Sequence, residues 1–76
     1  MSIPLESLEV GKCYLIGAEH VWRVVHIMPG GRVQFEARLG HQAASWIWRR
    51  GMLEARSFAL QVKREVPCDW TSEVDG

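Results

Sequence analysis

Residues His20 to Leu39, HVWRVVHIMPGGRVQFEARL, constrain this chain more than any other stretch. Two apolar-rich runs flank Pro29-Gly30-Gly31, and such a break between two such runs predicts a β-hairpin. In the second run Val33, Phe35, Ala37 and Leu39 alternate with Arg32, Gln34, Glu36 and Arg38. A period of two gives a strand with one apolar and one charged face. The first run is ambiguous. One face carries His20, Trp22, Val24, His26 and Met28; the other carries Val21, Arg23, Val25 and Ile27. A two-residue loop pairs Met28 with Val33 and turns the Trp22 face inward. A three-residue loop pairs Ile27 with Val33 and turns the Val25 face inward, and a slip of one residue exchanges the faces. We favour Val21, Val25 and Ile27 inside, because both histidines then stay in water. A bulge would bury Trp22 as well.

The rest of the chain reads as strands added to this hairpin. Ile3 to Val10 forms a lead-in with room for one helical or 3-10 turn, Pro4 suiting its first position. Lys12 to Ile16 is the first strand, with Cys13 and Leu15 on one face and Tyr14 and Ile16 on the other. Ala43 to Arg50, AASWIWRR, is the fourth, and Gly51 to Arg56 is a turn or short helical piece. Ser57 to Val66 is the last, with Phe58, Leu60 and Val62 pointing inward. Pro67 ends it, since proline cannot donate to a ladder.

Seventy-six residues make one domain, spanning 1–76, with 68–76 as an acidic tail. A domain this small buries roughly 60–65% of its unfolded surface, so its margin is thin. Four tryptophans help, because each can bury about 150–250 Å². Formal net charge is zero, but Arg23, Arg32, Arg38, Arg49, Arg50 and Arg56 crowd the middle, while Glu65, Asp69, Glu73 and Asp75 crowd the end. The acidic end reads as a loose, solvated tail, unless Trp70 folds back and plugs one end of the barrel; the sharper hypothesis lays it over the basic middle when no partner is bound. Cys13 and Cys68 fit no disulfide-rich or zinc-ribbon spacing. No leader sequence is visible, and no apolar run approaches the roughly 18 residues of a membrane span. The expectation is a cytoplasmic protein with reduced thiols and no membrane contact.

Five short strands with turns every 8–12 residues predict an all-β fold, a small closed or nearly closed barrel with a short helical or 3-10 turn. Val10-Gly11-Lys12-Cys13-Tyr14, Trp22-Arg23-Val24-Val25, the Gly-Gly hairpin and Arg32-Val33-Gln34-Phe35 resemble an SH3-like small barrel over roughly residues 8–66. The likeness is one of strand count and spacing. An OB-like barrel is the structural alternative. The chain also looks like the short proteins common in bacterial genomes.

Trp46, Ile47, Trp48, Arg49 and Arg50 form the most suggestive cluster, with Trp22 and Arg38 as neighbours in the three-residue-loop register. Tryptophan and arginine are enriched at protein-binding hot spots. The same residue types stack on bases and hold phosphates. Core packing of the rings is the competing reading. His20, His26 and His41 have no metal-ligand spacing, so neither metal nor cofactor is expected. Cys13 lacks a nucleophile motif and an orienting carboxylate, and reads as a small buried hydrophobe. The expectation is a non-enzymatic module that binds a protein partner, as adaptor or inhibitor, through exposed Trp and Arg. Nucleic-acid binding is the alternative, although such domains are usually net basic and this one has a pI near 6.8. A homo-oligomeric structural role is the third possibility.

Overall fold

The computed structural model describes residues 4–41 and 47–72. A 3-10 turn, Leu5–Ser7, leads into β1 (Cys13–Ile16), β2 (His20–Met28), β3 (Arg32–Leu39), β4 (Arg49–Glu54), α1 (Ala55–Gln61) and β5 (Val62–Val66). All neighbours are antiparallel in one sheet of order β4-β3-β2-β1-β5. The fold is therefore mostly β, as expected. The expected closure is not formed: among the described residues no ladder joins β4 to β5, and α1 lies between them in the chain.

The hairpin has the three-residue loop, with Ile27 opposite Val33. Gly30 and Gly31 take φ of 97° and 86°, a region open to glycine at no steric cost. One residue is inserted between Val24, opposite Phe35, and His26, opposite Gln34. This bulge at Val25 changes which parity faces the core. Trp22 and Val24 face it before the bulge and Ile27 after it, so each half of β2 follows a different one of the two sequence registers. The inward placement of Val25 is corrected by this: it is 40% exposed. Ile27 faces the core side but lies at its edge, 39% exposed.

The sheet is covered on both faces. Over one face α1 and the 3-10 turn close a cluster of Leu8, Tyr14, Ile16, Val24, Val33, Phe35, Ala55, Phe58, Ala59 and Val62, with Trp22, Ala37 and Leu53 at its border. Trp22 stacks on Phe35 at 4.4 Å between centroids, and Phe58 meets Tyr14, Trp22 and Phe35 within 5.9 Å. Such pairs add about 0.5–1.5 kcal/mol each beyond their buried area. Over the other face Cys13, Leu15, Val21 and Val66 meet Trp48, Cys68 and Trp70.

Two expected strands differ. Residues 57–61 are helical, because Ala55, Phe58, Ala59 and Val62 share one buried face at spacings of three and four, while Leu60 is exposed. The fourth strand begins at Arg49 and runs through Gly51, and residues 42–46 of the expected strand lie outside the described residues. Gly51 sits opposite Phe35, whose ring occupies the space a Cβ would need: the nearest ring atom is 2.6 Å from that position.

The Tyr14 hydroxyl donates to the Ser7 carbonyl at 3.0 Å and accepts from the Glu9 amide at 3.1 Å, tying the lead-in to β1. Burial is the main reason its pKa lies above the ordinary tyrosine value. The folded state thus prefers the neutral phenol, and the unfolded state ionises first. The stability this gives is complete below about pH 10 and is lost as pH rises through the folded pKa. We expect Tyr14→Phe to cost about 1–2 kcal/mol at pH 8, because two part-buried hydrogen bonds to the lead-in are lost. The further drop between pH 8 and 10.5 should be smaller in the variant than in the parent. Equal drops in urea midpoint would show that Tyr14 does not titrate with unfolding.

Candidate interaction surface

The residues nominated by the sequence do not form one surface. Trp46 lies outside the described residues. Trp22 faces α1 and belongs to the main core border, opposite Ala37. Arg38 is opposite Val21 and only 4% exposed. The expectation that Trp22 and Arg38 oppose each other on an outer face is therefore corrected, and the Val25 bulge is the reason.

Trp48 is half-buried on the second face. The Arg23 guanidinium lies over its ring at 4.2 Å from the centroid, and that of Arg38 at 5.0 Å. Cation–π contact of this kind holds the ring in place. Arg23 also pairs with Glu36. Arg38 donates from its Nη atoms to the carbonyls of Leu39, Cys68 and Trp70, at 3.2, 2.8 and 2.6 Å. Burial lowers its pKa, partly offset by Asp69.

Those last two carbonyls belong to a strap. After β5, residues 67–72 cross back over the second face. The Ser72 amide donates to the Gly40 carbonyl at 2.9 Å, and Trp70 packs so closely on Gly40 that a Cβ there would meet its ring at 2.5 Å. Trp70 does fold back from the end of the chain. The acidic end reaches the basic middle through backbone carbonyls on Arg38; residues 73–76 lie outside the described residues. A disulfide joins Cys68 to Cys13, 55 positions away. This replaces the expectation of reduced thiols. Spacing alone carried no signal for it, since nothing local brings Cys68 back to β1.

The remaining nominees, Arg49 and Arg50, open β4 and are exposed, beside Ile47 at 79% exposure. β4 is an outer strand of the sheet. The Ala55 amide donates to the Gly31 carbonyl, continuing the β3–β4 register by one pair. Antiparallel ladders alternate. The odd-numbered residues of β4 therefore bond to β3, and the backbone N–H and C=O groups of Arg50, Met52 and Glu54 point outward. The Met52 side chain is exposed as well. Sequence reasoning missed Met52 and Glu54 because Gly51 read as a turn. A separate open apolar groove of about 370 Å³ lies between Leu8, Ile27 and Ala55 on the helix side.

No protein-family model matches the chain, and no curated protein or solved structure is significantly similar to it. None of the described helices is long and apolar enough to cross a membrane.

Proposed function

We propose that the chain is a non-enzymatic interaction module that takes an extended, acidic segment of a protein partner along the outer edge of β4. The observation that carries this reading is the edge itself: outward-facing backbone groups at Arg50, Met52 and Glu54, with Arg49, Arg50 and Ile47 exposed at one end. Main-chain bonds along such an edge supply affinity, and flanking side chains supply selectivity. The two arginines offer bidentate contacts to carboxylates, and Ile47 and Met52 offer apolar ones. The strand order, with a short helix before the last strand, is compatible with an SH3-like ancestry.

Nucleic acid is the weaker partner. Two guanidinium groups already lie over the Trp48 ring, and Arg38 is turned inward, so of the residues that suggested base stacking and phosphate contact Trp48 and Arg38 are engaged elsewhere, while Arg49 and Arg50 stay exposed. A second copy is the other competitor for the edge, since a two-fold β4–β4 pairing about Met52 would set Arg50 against Glu54.

Selection of random linear peptides on the parent chain tests the reading. Enriched peptides should be rich in Asp and Glu. Their affinity should fall at least tenfold, about 1.4 kcal/mol, in the double variant Arg49→Glu, Arg50→Glu with its circular dichroism unchanged. Peptides that bind both chains equally would refute the β4 assignment. So would a dimer in sedimentation that the same variant dissociates, which would put a second copy on the edge.

A further inference from the structure

We infer that the Cys13–Cys68 disulfide is a redox latch, whose reduction by a dithiol frees residues 67–72 from the sheet and uncovers Arg38 and Trp48 while the main core stays folded. The latch needs no partner to operate, and three observations carry it.

The first is the division of the core. The ten-residue cluster around Phe58 contains neither cysteine, whereas the smaller cluster contains Cys13 and is bordered by Cys68 and Trp70. Cutting the bond therefore removes a tie from one face of the sheet only. The β1–β5 ladder, in which Cys13 lies opposite Val66, keeps its own hydrogen bonds.

The second is access. Cys13 is 1% exposed, but Cys68 is half-buried in a turn beside exposed Pro67 and Asp69. Of the two residues, Cys68 is the more open to a reductant thiolate. Its attack forms a mixed disulfide there, breaks the Cys13–Cys68 bond and releases Cys13 as a thiolate, which takes a proton. The reductant's second thiol then attacks the mixed disulfide and releases Cys68. Two electrons pass to the protein, and the dithiol becomes a disulfide.

The third is what opening relieves. With the strap down, the Arg38 guanidinium is largely held out of water, and among its partners are the carbonyls of Leu39, Cys68 and Trp70. Desolvating a cation opposes closure. Lifting the strap returns that charge to water, and of the ties that oppose release (the disulfide, Trp70 packing, and the hydrogen bonds to Arg38 and Gly40) a reductant cuts the covalent one. In a reducing compartment, disulfides are usually transient and redox-sensing.

Amide exchange of the full chain, oxidised and then reduced with dithiothreitol, tests the latch. The oxidised chain should gain 2 Da on reduction. In the reduced chain the Trp70 and Ser72 amides, which bond to Pro67 and Gly40, should be at least tenfold less protected than the β2 and β3 amides, whose protection follows the lowered global stability alone. The double variant Cys13→Ala, Cys68→Ser should show the reduced pattern without reductant. Unchanged protection at Trp70 and Ser72 would overturn the latch. Loss of β2 and β3 protection down to the level left at the strap would do so too, since the main core would then open together with the strap. A chain whose mass does not change would equally contradict it.

Discussion

Replacing Phe58 by Ala is expected to lower the melting temperature by roughly 12–40 °C, the largest effect of any single substitution in the core. The ring is fully buried and touches three other aromatic rings. Truncating a buried Phe costs about 3–5 kcal/mol, because transfer energy is lost and a cavity remains. A chain of 76 residues holds a total stability on the order of 4–11 kcal/mol. Each kcal/mol moves the midpoint of a domain this size by about 4–8 °C. Leu60→Ala is the paired control. It lies two positions away but on the outer face of α1, 65% exposed, and should stay within about 0.5 kcal/mol of the parent. Comparable losses in the two variants would mean that both side chains point inward, as they would in a strand.

Removing the disulfide is expected to have an effect of similar size. A cross-link over 55 positions restricts the unfolded chain by about 4 kcal/mol in the chain-entropy treatment. The variant Cys13→Ala, Cys68→Ser should therefore melt roughly 16–32 °C below the oxidised parent. It should still unfold in one cooperative step from a native baseline at 25 °C, because the Phe58 cluster does not include the bond. Reduced parent and variant should melt together. A variant as stable as the oxidised parent would show that the two sulfurs are not joined in solution.

The hairpin was legible because strict alternation in β3 and the Pro-Gly-Gly break leave few alternatives, and the ends of β2 and β3 fall where the pattern puts them. The lead-in turn and the stop at Pro67 were legible for the same local reasons. The inner face of β2 was not, since both its faces are apolar and both are covered, one by α1 and one by the strap. An added residue at Val25 lets both halves bury something, and a bulge leaves no composition signal. Residues 55–62 carry two periods at once. Phe58, Leu60 and Val62 alternate, while Ala55, Phe58, Ala59 and Val62 follow a helix, and only tertiary burial separates them. Gly51 read as a turn because its reason for being in a strand is the Phe35 ring across from it, which is a neighbour in space alone. Of the candidate site, Arg49 and Arg50 were found as exposed arginines. Arg38 and Trp48 were nominated separately, Arg38 as the neighbour of Trp22; the contact that joins Arg38 to the Trp48 ring is seen only in the fold, where both are engaged internally.

The most direct measurement is the amide spectrum of ¹⁵N-labelled protein titrated with an acidic peptide from the selection. Strand addition predicts new exchange protection at Arg50, Met52 and Glu54, the even-numbered amides of β4, with little change at Leu8, Ile27 and Ala55. Protection or shift changes centred on that helix-side groove, with the β4 amides unmoved, would contradict it.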